Sequence, residues 1–337
     1  KVDLVPNMNA TVKARMTAEI RFIRAYIYFR LTNLYGDVPF FDRDITIEES
    51  NVITRTSRES IVQFIHQELD DIANALPTRD QLPESERGKL TKGAVCALQA
   101  RVYLMDSDWD NVIKYCDNLI NKQGEFGSYS LFATYRGVFE EVNEYNQEVI
   151  LDRSYVPSVL TWGEMGDMAP LSVGSRLCNR APQQSLVDSY LMVDGKTTHD
   201  NSPLYKPSAP YANRDLRLNA TVVYDGYEWS KNVSDGSTGT IIQINPATSN
   251  TPDKYEAGSN KTATGYYTRK YYSPQAKGDM NSGVNLIMMR YADVLLMYAE
   301  AMFEKGELNA NVWNMTIKPL RARAGFTEEA KAYPQGK

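Results

Sequence analysis

Histidine and cysteine are scarce in this chain of 337 residues, with two of the first and three of the second. His66 lies within an amphipathic segment and His199 in a polar stretch, and no Cys/His spacing suits a zinc site. Cys96, Cys116 and Cys178 are too few, and odd in number, to make a disulfide framework. Cys96 and Cys116 fall on helical apolar positions and read as small core hydrophobes. Long apolar runs are missing too. A membrane-spanning helix needs ~18 or more apolar residues, and the longest helical candidate, 16–35, is interrupted by Glu19, Arg21, Arg24 and Arg30. Positive charge is not in excess: 37 basic residues stand against 42 acidic ones, a net charge of −5. Such a chain gains little from phosphate, so nucleic acid and anionic lipid are poor partners for it. The motifs HExxH, GxSxG, GxGxxG and the P-loop are all absent. A glycosidase would need two carboxylates about 5–10 Å apart across the bond it cuts. No such pair can be singled out among the acids, so no catalytic residue, cofactor or metal ligand is assigned.

Aromatic residues are plentiful instead, with 22 Tyr and 4 Trp. Flat rings suit hydroxyl-rich ligands, because sugar C–H faces stack on them while polar neighbours take up the hydroxyls. They equally suit the interfaces between packed helices, and that use accounts for most of them.

Helical periodicity dominates both ends of the chain. Ile20, Ile23, Ile27, Leu31 and Leu34 recur at steps of three and four, with a second stripe at Phe22, Tyr26 and Phe29. Two apolar stripes are expected to make a helix packed on two sides. Gly36 and Pro39 end it. Ser57 and Thr91 read as N-caps, and Pro77 as a stop. Helices are predicted over 16–34, 58–76, 91–105, 109–121, 287–305 and 310–323, with Pro319 kinking or dividing the last. Segments 91–121 and 290–324 are both helix–turn–helix units, near the period of about 34 residues typical of tetratricopeptide repeats.

The middle, 125–285, is rich in Gly, Ser, Asn, Pro and Tyr and lacks long periodic stretches. Short strands are predicted at 148–152, 220–224, 241–244 and 266–272, and one helix at 183–192. Long structured inserts between packed helices usually carry function.

Six segments resemble one family. Ala18-Glu19-Ile20-Arg21-Phe22-Ile23-Arg24-Ala25-Tyr26 through Leu34-Tyr35-Gly36-Asp37-Val38-Pro39 is similar to the marker helix of SusD/RagB proteins and its exit turn. Thr91-Lys92-Gly93-Ala94 through Ala100-Arg101-Val102-Tyr103-Leu104 resembles the next marker, and 182–195, with Leu186-Val187-Asp188-Ser189-Tyr190, a third. Asn213-Arg214-Asp215-Leu216-Arg217-Leu218 resembles a fourth, with Leu216 where the family usually has proline. Arg290 to Ala301 and Leu320-Arg321-Ala322-Arg323-Ala324-Gly325 complete the set, in family order. The family's signal peptide and lipid-anchored cysteine have no counterpart, nor does the segment beyond the last motif, so the chain reads as part of a longer protein.

The resemblance implies a mainly α fold: a tetratricopeptide-like scaffold of helical hairpins with a loop-rich insert bearing a few short strands. One SusD-like domain over 1–337 is expected, with the scaffold at 9–124 and 286–325 and the ligand-side insert at 125–285. It also implies an outer-membrane lipoprotein on the surface of a Bacteroidetes-type bacterium. Such a protein binds a glycan, or in some members a peptide, and passes it to a SusC-like TonB-dependent transporter without cutting it. A calcium site occurs in the family, although no EF-hand-like loop is present here. The competing reading is a tetratricopeptide-type protein–protein scaffold.

Arg21, Arg24, Arg101, Arg290 and Glu300 sit on core helices and are expected to tie repeats together by paired charges. Asn213 to Asp215 should close a turn, and Trp109 and Trp313 should pack. Trp162 and Trp229 differ, because both lie in aperiodic, glycine- or acid-rich loop sequence. With Tyr227 and Asp225 they are the expected ligand contacts: stacking faces with acceptors beside them.

Overall fold

The computed structural model describes residues 5–229, 239–273 and 282–334. The chain forms two compact units, one of residues 1–130 and 289–308, the other of 131–288 and 309–337.

The first unit is helical. Its first helix runs from Ala10 to Tyr35, capped by the Asn9 side chain, which accepts from the Thr11 and Val12 amides. Gly36 ends it at φ 69°, a conformation costly for any residue with a Cβ. The buried face is Ala18, Phe22, Ala25, Tyr28, Phe29 and Thr32. The helix is therefore packed on one of the two expected sides, and the isoleucine stripe faces outward: Ile20, Ile23 and Ile27 are 59%, 51% and 50% exposed. Both stripes are apolar, so hydrophobicity did not separate them; charge did. Arg21 and Arg24 flank Phe22, and both bind the buried carboxylate of Glu68 on the neighbouring helix Arg58–Ile72 (Arg21 Nε to Glu68 Oε1 2.8 Å, Arg24 Nε to Glu68 Oε2 2.9 Å). Burying Glu68 requires cations on this face, and that rotates the helix to bury Phe22 rather than Ile23. The hydrogen bond to Glu68 in turn holds Arg21 above its usual range.

Helix Arg58–Ile72 starts at Ser57, whose hydroxyl accepts from the Ser60 amide, and continues as a 3-10 turn at Ala73–Ala75. Ile61, Ile65, Leu69 and Ile72 fill the interface, as their spacing predicts. Helix Lys92–Met105, capped by Thr91, is buried nearly all round. Gly93 permits this: a Cβ there would lie 2.2 Å from the Tyr129 hydroxyl oxygen and 2.9 Å from the Phe126 carbonyl oxygen. Helix Trp109–Asn121 buries Val112, Cys116 and Leu119. Trp109, expected in the core, is half-buried at the helix start. His66 stacks on Tyr103 (ring centroids 3.8 Å apart), with Nδ1 2.5 Å from Gln99 Oε1, a packing role. Arg101 pairs with Asp293 of helix Tyr291–Glu304. That helix was expected from 287, but Leu286–Arg290 is a strand. The run Leu286-Ile287-Met288-Met289 has no polar position to reveal a period, which left strand and helix equally legible.

The second unit is built from short elements. Strand Val149–Arg153 matches its prediction closely. Tyr227–Trp229 pairs antiparallel with Thr240–Ile242, and Val222–Val223 with Tyr267–Thr268. The strand predicted at 220–224 shrinks because Leu216–Thr221 is helical: the Asp215 side chain accepts from the Arg217 amide and caps it. The helix predicted at 183–192 is only Gln184–Ser189. The last predicted helix divides into Ala310–Met315 and Ile317–Arg323, with the break at Thr316. Pro319 then sits in the first turn of the second piece, where its missing N–H is not needed. Trp313 packs as expected, its Nε1 donating to the Lys331 carbonyl at 2.8 Å. Arg323 and Glu148 form an ion pair with both side chains almost wholly buried, and Glu148 also accepts from the Phe132 amide at 2.8 Å. The core here is aromatic and thioether: Tyr155, Trp162, Met165, Trp229, Tyr267 and Tyr272 pack together.

Candidate functional site

Two open clefts in the second unit meet at the start of helix Leu216–Thr221, sharing Leu216 and Asn219. The first, of about 490 Å³, is lined among others by Tyr211, Asn213, Arg214 and Tyr224. Tyr211 and Tyr224 are stacked, ring centroids 3.8 Å apart and planes at 17°. Both are half-buried and line the cleft, so part of each ring is open to it. Its orientation is fixed by its hydroxyls: Tyr224 Oη donates to Asn219 Oδ1 at 2.8 Å, and Tyr211 Oη lies 3.3 Å from Tyr266 Oη, which donates to Gln184 Oε1 at 2.6 Å. Burial raises the Tyr211 phenol, and the hydrogen bond with Tyr266 raises it further. Burial likewise raises Tyr224. Both therefore stay neutral donors at physiological pH.

Arg214 forms the floor. It is 6% exposed, and its terminal nitrogens donate to the carbonyls of Pro210 (3.1 Å), Val187 (2.7 Å) and Tyr190 (2.6 Å). Asn213, just before it, takes φ 56°, so the expected turn at 213–215 is present and leads straight into the Asp215 cap. The motif bends the chain so that Tyr211 and Asn219 line one space.

The second cleft, of about 240 Å³, is lined among others by Thr134, Tyr135, Arg136, Tyr227 and Arg323. Tyr227 donates its hydroxyl to the Asn219 carbonyl at 2.8 Å, and burial pushes its phenol up to about 12.

Of the four residues expected to touch ligand, Tyr227 lines one of these two clefts. Trp229 is 1% exposed, with Tyr272 edge-on at 4.7 Å and the Arg269 guanidinium 4.4 Å over its ring. Trp162 is 8% exposed, edge-on to Tyr271 at 5.9 Å, with its amide donating to the Ser282 carbonyl at 2.7 Å. Both are core side chains, and neither presents a stacking face to solvent. Asp225 is exposed, but Oδ1 accepts from the Ile244 and Asn245 amides (2.7 and 3.0 Å), closing the turn beside the Tyr227–Trp229 strand. The physical reason was present in the sequence at Tyr227-Glu228-Trp229: two rings flank a charge with period two, so both lie on one face of a strand. Tyr211 and Tyr224 carried no such signal, because residues 13 apart in loop sequence are brought together only by the turn and helix between them. Among the described residues no cluster of Asp, Glu, His or Cys could hold a metal ion, and no helix is long and apolar enough to cross a membrane.

Residues 158–336 match the family model described as the SusD family. That is more than half of the chain. The chain belongs to the SusD family. Residues 2–104 match a second model, described as starch-binding and associating with the outer membrane. A solved SusD-like carbohydrate-binding protein from Bacteroides fragilis superposes with a TM-score of 0.83 at 26% identity, over 100% of this chain and 63% of its own. A SusD-like protein from Bacteroides ovatus is 26% identical over 311 residues, 88% of this chain and 50% of its own length. The starch-binding protein SusD of Bacteroides thetaiotaomicron is 28% identical over 163 residues, 44% of this chain and 27% of its own length. The chain thus spans half or less of the curated relatives named here, and under two thirds of this solved one.

Proposed function

We propose that this SusD-family chain captures a glycan at the surface of the outer membrane and delivers it to a SusC-like TonB-dependent transporter. The observation that carries the reading is the stacked Tyr211–Tyr224 pair, part of each ring open to a cleft that also offers the amides of Asn213 and Asn219. An aromatic wall with a few convergent polar groups is the standard composition of a sugar site. Relatives described as carbohydrate- and starch-binding support the ligand class. Delivery to a transporter and location at the outer membrane rest on the family resemblance and on the description of the second matching family model.

The protein is proposed to bind without hydrolysis. Among the described residues neither cleft is lined by a carboxylate, so they supply no facing acid and base of the kind glycoside cleavage requires. Prolonged incubation with bound polysaccharide should release no new reducing ends.

The direct test is affinity electrophoresis of the parent and Tyr211→Ala in gels containing soluble polysaccharides. Loss of a stacking ring at a central contact should weaken binding about tenfold, or ~1.4 kcal/mol. An unchanged mobility shift for a folded Tyr211→Ala would remove this cleft as the site.

A further inference from the structure

Charge in the two clefts runs against the charge of the chain. Acidic residues outnumber basic ones by 42 to 37 overall. Yet among the described residues the lining of the first cleft has one arginine and no carboxylate, and that of the second two arginines and no carboxylate. How those cations are engaged matters more than the count. Arg214 has no carboxylate partner among the described residues; its bonds go to three neutral carbonyls, and its Nε is buried without a hydrogen-bond partner. Arg136 meets Glu140 only through Nε, at 3.1 Å, so both terminal nitrogens at the cleft wall lack a protein partner among the described residues. Lys270 stands behind Tyr135, its Nζ 3.3 Å from the phenol oxygen and 3.9 Å from the centre of the Phe139 ring, again with no carboxylate. Arg136 and Arg323 are both ion-paired, but differently: Glu148 occupies the terminal nitrogens of Arg323, whereas Glu140 holds Arg136 through Nε and leaves its outer edge to the cleft.

We propose that these clefts select an acidic glycan, one bearing carboxylate or sulfate groups, and that Arg136 is its principal charge contact. This rests on the glycan-binding reading above and adds the substrate class. The planar edge of a guanidinium presents two parallel N–H donors that match the two oxygens of a uronate or sulfate, and the bonds formed are charge-assisted. A neutral sugar would use the tyrosine wall alone. An acidic one would use the wall and the Arg136 edge together, with Arg214 and Lys270 setting a positive local potential. Among the described residues no acidic side chain lines either cleft to repel it.

The experiment uses the whole chain and four probes: polygalacturonate for carboxylate, carrageenan for sulfate, and starch and dextran as neutral glycans. Binding is measured by calorimetry at low and moderate salt. At least tenfold tighter binding of polygalacturonate or carrageenan than of either neutral glycan is expected, weakening as salt rises, and the preferred probe tells carboxylate from sulfate. Arg136→Gln should lose at least fivefold toward the acidic probe and nothing toward neutral ones, while Arg136→Lys should retain part of the preference. Arg43→Gln, which removes an exposed charge in the helical unit, controls for general attraction of polyanions. Equal binding of acidic and neutral glycans, or equal loss in Arg136→Gln and Arg43→Gln, overturns the proposal while leaving the glycan reading intact. Failure of all four probes to bind removes the glycan reading and this inference with it.

Discussion

The two units of this chain spend the same residue types differently. In the helical unit, aliphatic side chains at helical spacing form the core, and arginines join helices through shared carboxylates such as Glu68 and Asp293. In the loop-rich unit, tryptophan, tyrosine and methionine form the core, and besides ion pairs such as Arg323–Glu148, arginines also lie on rings, as Arg269 does on Trp229, or against carbonyls, as Arg214 does. The difference follows from backbone regularity. Long helices bring small and branched residues into register every turn, whereas short irregular segments leave uneven gaps that large, flat or flexible side chains fill best. An aromatic residue in the second unit is therefore no sign of a ligand by itself. What marks a candidate contact there is a ring left partly open to a cleft.

Substituting tryptophan in each unit should give the widest contrast. Trp229→Ala empties a fully enclosed site and should cost ~3–5 kcal/mol, whereas Trp109→Ala, at a half-buried helix start, should cost about 1–2. Urea denaturation of both variants measures this, and equal losses would mean that Trp229 is less tightly held than its burial indicates.

The ion pairs offer the next contrast. Glu148→Gln strands Arg323 in a buried site and should cost about 3 kcal/mol. Glu68→Gln should cost less, about 2, because its partner arginines reach solvent. Chemical denaturation that ranked them the other way would show that Glu68 has no exposed escape for its arginines.

A pH dependence should separate the units as well. Asn285 is held between two carboxylates: its amide donates to Glu144 Oε1 at 2.7 Å, and its side chain to Asp152 Oδ2 at 3.0 Å. Burial pushes Glu144 up to about 7 and Asp152 up to about 6. Both values lie above those of the unfolded chain, so the folded state favours the protonated forms. Their contribution to stability is fully present below about pH 4, where the unfolded chain is also protonated, and is lost as pH rises through 6 and 7. The melting temperature of the loop-rich unit should fall over that window. In Glu144→Gln/Asp152→Asn the slope should flatten, and a parent and double variant with parallel melting profiles would contradict the assignment.

The smallest effect belongs to the outer stripe of the first helix. Ile23→Ser should change stability by no more than about 0.5 kcal/mol, as at an exposed surface position, while Phe22→Ala next to it should cost ~3–5. Thermal melts of the two variants would expose any error in the rotation of this helix.

Much of the helical unit was legible because its signals are local. Ser57 and Thr91 cap where they stand, Gly36 stops the helix before it, and the periodic residues of 58–76 face one way because 3.6 residues make a turn. These properties need no knowledge of neighbours, so the mainly α fold could be read from the chain, and family membership from six short motifs divided evenly between the two units. The loop-rich unit gave less away. Its strands are two to five residues long, too short for period two to stand out, and so Trp229 read as a loop residue.

From the sequence alone came the main helices and most of their ends, though not the starts at Ala10 and Tyr291, together with the divided helix near Pro319, the arginine ties between helices and the family. Tertiary structure alone decided which apolar stripe of the first helix is buried, because both are hydrophobic and only the position of Glu68 on another helix breaks the tie. It also decided which aromatic residues meet solvent. Tyr211 and Tyr224 become a stacked wall, and Trp162 and Trp229 become core, through pairings between segments distant in the chain, and exposure belongs to those pairings rather than to any stretch of sequence.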